Sequence, residues 1–166
     1  PWLILLGMGF LTMMFNGIKY GVIAYYFKYY MGNELLTGYF FISLLVVSIF
    51  GALATSKLAA MFGRKKLFII ALLASSVLTS GIYFVPQKSV SAIFILGCSA
   101  EFFAAILPTL FFSMLGDSAD YSEYKTGRRA TGLVYSAGSF VQKTGGGFAG
   151  ALVLLVLGSY GYNGLD

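Results

Sequence analysis

A chain of 166 residues that is 58% hydrophobic and 10% charged, with mean hydropathy +0.84, cannot clothe a water-facing globule, because soluble domains carry about a quarter charged residues. The formal charge of +5 and the isoelectric point near 9.3 would suggest nucleic acid for a soluble domain; here the bases fall mostly in short links between apolar runs, where they set orientation, and nucleic acid is not an expected partner. One cysteine, Cys98, inside an apolar run, and no histidine leave no disulfide framework, no Cys/His metal cluster and no histidine general base.

Pro1 opens the sequence without an initiator methionine or a charged n-region, so no cleavable signal peptide is read and the chain is expected to be a piece of something longer. The first apolar run covers 2–30 and is interrupted by Lys19. Runs at 36–61, 67–85, 90–115 and 131–157 follow. Each is long enough to cross a hydrocarbon core of about 30 Å as a helix of roughly 20 residues. None alternates with period two, and each exceeds the length of a barrel strand. The predicted fold is therefore all-α and integral to the membrane, with five transmembrane helices and no soluble domain. An odd number of spans suits a fragment better than a complete transporter built of matched halves.

Turns are predicted at Met31-Gly32-Asn33-Glu34, at the basic Gly63-Arg64-Lys65-Lys66 and at Pro86-Gln87-Lys88-Ser89, with one long polar link at 116–130. Each link flips the chain to the other side. Arg64, Lys65 and Lys66 then share a face with Lys125, Arg128 and Arg129, opposite Lys28 and Lys88. The positive-inside rule predicts a cytoplasmic amino end for this segment and a cytoplasmic 116–130 link.

Ionisable residues inside apolar spans are the first candidates for function, because charge there is expensive and normally faces a partner or a watery cavity. Lys143 stands about 18 Å into the fifth span at 1.5 Å per residue, too far for its stem to reach the interface. Its alternative is a deprotonated or accidental lysine packed in the bundle. Gly145, Gly146, Gly147 and Gly150 follow it; Gly146 and Gly150 have the spacing of close helix packing, or of a bend. Lys19 lies between Gly17 and Gly21, beside Asn16 and Tyr20. It lines a polar path in which tyrosines offer hydroxyls and ring faces to a hydroxylated ligand, or it belongs with Tyr25, Tyr26, Tyr29 and Tyr30 to an interfacial aromatic belt. Glu101, in the fourth span, is either a counter-charge for a lysine or a neutral acid packed against another helix. Two deep lysines against one deep acid leave buried charge unmatched, at a cost of several kcal/mol. The expected partners are acids on helices outside this chain. In the polar link, acids precede bases; a helix carrying Asp120 and Glu123 on one face would pair with Arg or Lys of a neighbouring link and latch the cytoplasmic side shut in one conformation, the alternative being a plain solvated loop without function.

The run from Leu115-Gly116-Asp117-Ser118-Ala119-Asp120-Tyr121-Ser122-Glu123-Tyr124-Lys125-Thr126-Gly127 through Arg129-Ala130-Thr131-Gly132-Leu133-Val134-Tyr135-Ser136 resembles the signature of the glycoside–pentoside–hexuronide:cation symporters, melibiose-permease-like members of the major facilitator superfamily. Gln142-Lys143-Thr144-Gly145 is similar to the family's Q-K-x-G element. Ala24-Tyr25-Tyr26-Phe27-Lys28-Tyr29 is similar to the end of its seventh helix, and Phe62-Gly63-Arg64-Lys65-Lys66 to the basic turn between helices eight and nine. Gly116 and Ser122 stand where alanine and glycine are commoner.

The resemblance covers nearly the whole chain and implies helices seven to eleven of a twelve-helix transporter, a partial carboxyl-terminal half at 1–166. It implies uptake of a sugar or glycoside coupled to Na⁺, H⁺ or Li⁺ across the cell's inner (plasma) membrane, with no other cofactor and no resident metal site. Lys143 would match the lysine of helix eleven near the cation and sugar region, to which Lys19, Tyr20 and Glu101 are candidate additions. Asp117, Asp120, Glu123, Arg128 and Arg129 would match the charged cytoplasmic gate. The cation-binding acids and much of the sugar site would lie in the missing amino-terminal helices.

The leading expectation is secondary transport by alternating access. A non-transporting sugar sensor or scaffold with a transporter-like fold is the alternative. An intramembrane enzyme using Lys143 and Glu101 is disfavoured, since no motif supplies a nucleophile and base within reach; no catalytic residue is assigned.

Overall fold

The computed structural model describes residues 2–30, 34–86, 89–127 and 130–161. Five long helices carry the chain. They are α1 (Trp2–Tyr25), continued by a π-helical turn at Tyr26–Tyr30; α2 (Glu34–Phe62); α3 (Arg64–Gly81), closed by a 3₁₀ turn at Ile82–Phe84; α4 (Val90–Thr126); and α5 (Thr131–Ser159). All five are long and apolar enough to cross a membrane, the shortest candidate, Arg64–Phe84, being 21 residues, or about 31 Å of helix. No strand occurs among the described residues. Helices satisfy every internal peptide group within one segment, which lipid requires. Some hydroxyls bond back to their own helix: Thr12 donates to the Met8 carbonyl at 2.8 Å and Thr55 to that of Gly51 at 2.9 Å.

The structure revises two expected links. The basic turn shrinks to one residue, Gly63, whose φ of 78° and ψ of 146° lie where only glycine is comfortable. Arg64, Lys65 and Lys66 already form the first turn of α3. The polar link shortens as well, because α4 runs on to Thr126 and includes Asp117, Asp120 and Glu123. Hydropathy marks where a span leaves lipid, whereas the helix stops where its hydrogen bonds do, here at Gly127 with φ 66°. Met31, Gly32, Asn33, Gln87, Lys88, Arg128 and Arg129 lie outside the described residues.

The chain divides into two compact units, Pro1–Tyr26 with Leu115–Asp166, and Phe27–Met114. In the first, α1 and α5 pack side by side and run parallel: Gly145 abuts Met13, Gly17 abuts Ala149 and Gly21 abuts Val153 in one constant register. Two positions need glycine for this approach. A β-carbon on Gly17 would stand 2.5 Å from that of Ala149, and one on Gly145 would stand 2.9 Å from both the Met13 β-carbon and the Phe10 carbonyl oxygen. Of the small residues on α5, then, Gly145 and Ala149 make the close approach. The expected pair Gly146 and Gly150 is exposed, with open space at each missing β-carbon.

In the second unit α2 and α4 pack parallel. Phe40 is fully buried and lies against Gly97; Ser43 faces Cys98; Gly51 sits on the Phe102 carbonyl, 2.5 Å from where its β-carbon would be. Phe27, Phe40 and Phe94 form an aromatic knot, with Phe40 ring centroids 4.9 Å from Phe27 and 5.0 Å from Phe94. Pro108 lies inside α4, where it removes the amide that would bond the carbonyl four residues back.

Candidate functional site

Small residues at 9, 17 and 21 on α1 and at 138, 145 and 149 on α5 bring two helices together without large side chains between them. The polar residues of the unit therefore stand on the flanks of this seam. Lys19 is 6% exposed, and its Nζ lies 4.7 Å from the centroid of the Tyr20 ring, a cation–π distance. Two residues from Gly17, it stands about 200° round the helix from the α5 contact. One turn before it, the Asn16 Oδ1 is buried with no hydrogen-bond partner among the described residues. Asn16, Lys19 and Tyr20 thus form a polar group on α1, of which Asn16 was the member noticed in the sequence but not singled out.

Lys143 occupies a different place. It is exposed on α5, about 200° round the helix axis from Gly145, which packs on α1, on a stripe with Ser136, Ser139, Gly146, Gly147 and Gly150, all exposed as well. The α1–α5 register sets Lys143 level with Leu11, eight residues before Lys19 and about 12 Å away along the axis. The two lysines therefore stand at different depths. Glu101, 3% exposed on α4, belongs to the other unit.

The candidate gate residues Asp117, Asp120 and Glu123 are exposed on the last three turns of α4, whose inward face is made by Leu115 and Ala119. Gly116 sits against Tyr135 of α5: a β-carbon there would meet the phenol oxygen at 3.0 Å. Nearby, a cavity of about 260 Å³ is lined by Trp2, Ser118, Tyr121, Ser122, Lys125 and Leu133. Arg128 and Arg129, the gate's other candidates, lie outside the described residues. Among the described residues no group of three or more Cys, Asp or Glu could hold a metal ion.

Comparison with known proteins agrees with this architecture. The family described as MFS/sugar transport protein matches residues 1–166. The isoprimeverose transporter of Lactiplantibacillus pentosus is 30% identical over 166 residues, covering 98% of this chain and 34% of the relative. The putative glycoside/cation symporter YagG of Escherichia coli (strain K12) is 29% identical over 162 residues, covering 98% of this chain and 35% of the relative. The glucuronide carrier protein homolog of the same organism is 27% identical over 164 residues, covering 96% and 35%. The chain thus spans about a third of the length of the curated relatives it matches. No solved structure matches it.

Proposed function

The chain belongs to the MFS/sugar transport protein family, and on that premise we propose that the protein containing it moves a sugar or glycoside together with a cation, Na⁺, H⁺ or Li⁺, by alternating access. The observation that carries the proposal is the family match along all 166 residues, joined to relatives named as a glycoside/cation symporter and an isoprimeverose transporter.

In this reading the chain is part of a carboxyl-terminal half in the inner membrane, with its amino end cytoplasmic. The exposed α5 stripe supports a partner outside the chain. Serines, glycines and a lysine make a poor lipid-facing surface, since a charge at that depth belongs in a bundle or a water-filled cavity. Lys143 acts there as an electrostatic switch, pairing with acids of the other half when the coupling cation is absent. Asn16, Lys19 and Tyr20 offer a second polar group some 12 Å farther along the axis, with hydrogen-bonding groups and a ring face of the kind that holds a hydroxylated ligand. Glu101 serves as a buried counter-charge or a neutral packed acid. Asp117, Asp120 and Glu123, with Arg128 and Arg129, close the cytoplasmic side.

The test is uptake by the full-length protein in proteoliposomes, with a panel of glycosides and pentosides under an imposed Na⁺ or H⁺ gradient. The proposal expects accumulation of at least one sugar above equilibrium and only with the gradient. A protein that binds sugar without moving it would be a sensor or scaffold, and the proposal would fail.

A further inference from the structure

The buried side-chain oxygens without a hydrogen-bond partner among the described residues are Asn16 Oδ1 and the hydroxyls of Thr37, Ser75 and Thr79. The three hydroxyls have a local remedy. Each carries a proton and sits in a helix, where rotation about one bond lets it donate to a carbonyl one turn back, as Thr12 and Thr55 do. Asn16 Oδ1 can only accept. Inside α1 the backbone N–H groups around it already bond the carbonyls four residues back, so its own helix holds no donor for it.

Its neighbours supply none either. Lys19 and Tyr20 follow three and four residues on, beside Asn16 on the surface of α1, and the Lys19 ammonium lies over the Tyr20 ring at 4.7 Å. An unmet acceptor is costly at this place. Asn16 stands in the middle of the span Trp2–Tyr29, about 20 Å of helix from either end and away from the interfaces. The residue as a whole is only half-buried, and the amide torsion of asparagine has two broad wells. Half a turn about that bond carries the oxygen from the buried side to the open one without moving the backbone.

We infer that Asn16 is a specificity-determining residue of the transporter, its Oδ1 accepting a hydrogen bond from one hydroxyl of the sugar. This role rests on the sugar-transport reading and narrows its substrate. A ligand that meets Oδ1 must bring a donor, so one ring position demands a free hydroxyl, and a deoxy or O-methyl sugar is refused there. The depth agrees, since transporters bind their substrates near the middle of the membrane. An acceptor left unmet until the ligand arrives also gives its removal opposite effects in the two states. Without sugar, an apolar side chain of the same branching removes a buried unpaired oxygen and does no harm; with sugar, it loses the bond.

The test measures sugar binding and melting temperature of the full-length protein with methyl xyloside, methyl galactoside and methyl glucuronide, each beside its monodeoxy and mono-O-methyl analogues. Asn16→Leu is expected to bind the parent glycoside about tenfold more weakly, the scale of one neutral hydrogen bond. Its melting temperature without sugar is expected to equal or exceed that of wild type. One deoxy analogue is expected to bind wild type and variant equally, and so to identify the hydroxyl that Asn16 accepts. Asn16→Ala gives the same comparison of analogues if the leucine variant fails to fold. An affinity loss of the same size for the parent and every analogue would make Asn16 a structural residue and overturn the assignment. So would a folded Asn16→Leu with unchanged affinity for the parent glycoside. Wild type that binds none of the glycosides contradicts the sugar reading itself; wild type that binds them, with the variants unaffected, contradicts only the role of Asn16.

Discussion

Gly17 of α1 meets Ala149 of α5 so closely that a β-carbon on the glycine would stand 2.5 Å from that of the alanine. The contact fixes the register of two parallel helices, and with it the 12 Å axial separation of Lys19 and Lys143. Gly17→Val is expected to destabilise the full-length protein by about 1–3 kcal/mol, the cost of overpacking a tight interface. Gly38→Ala, at a helical position with open space around its missing β-carbon, should be neutral or slightly stabilising. Thermal unfolding of both purified variants checks the pair; equal melting temperatures would remove the seam from the account.

The Phe40 ring is fully buried against Phe27, Phe94 and Gly97. Truncation by Phe40→Ala should cost about 3–5 kcal/mol through the cavity left behind, and Phe40→Leu clearly less. Detergent-resistant unfolding followed by tryptophan or circular dichroism measures the difference.

At Gly63 the φ of 78° and ψ of 146° are accessible to glycine and strained for any other residue. Gly63→Ala is expected to cost about 1–3 kcal/mol without a change in sugar affinity. A binding titration on the folded fraction separates the two effects.

Much of this was legible in the sequence. All five spans were placed within a few residues at most ends, because lipid demands long apolar helices and that demand is written in composition. The exceptions share a cause. Residues 116–126 are polar, so hydropathy reads them as a link, but they contain no proline and their only glycine is Gly116; the helical hydrogen bonds continue until Gly127. Arg64 to Lys66 read as a turn for the same reason. Which glycines touch a neighbour was not legible either: Gly146 and Gly150 have the spacing of a packing motif, yet Gly145 and Ala149 face α1. A single sequence gives the period of a helix and not the direction of its partner. The count of two deep lysines against one deep acid likewise carries no axial distance between Lys19 and Lys143, since depth along two helices needs their register.

Lys143 is exposed on α5 within this chain, and the proposed function gives it acids of the other half as partners; Lys143→Gln removes its charge while keeping a long polar side chain. If it is the proposed switch, coupled uptake should fall about tenfold or more, the effect of ~1.4 kcal/mol in coupling. Wild-type coupled uptake in Lys143→Gln would remove the residue from the mechanism.

Asp120 and Glu123 are exposed on the last turns of α4. As gate residues, they should affect the rate of conformational exchange rather than sugar binding. The Asp120→Asn, Glu123→Gln double variant is expected to lower the maximal uptake rate several-fold, while equilibrium sugar binding stays within about twofold, less than 0.5 kcal/mol. A changed binding constant with an unchanged rate would assign these acids elsewhere.

The central claim is that sugar and cation move together through the protein of which this chain is part. The most direct measurement adds sugar to de-energised proteoliposomes holding the full-length protein and follows Na⁺ or proton entry. The account predicts sugar-dependent cation influx down no gradient but that of the sugar. Equilibration of sugar with no accompanying ion movement would contradict it.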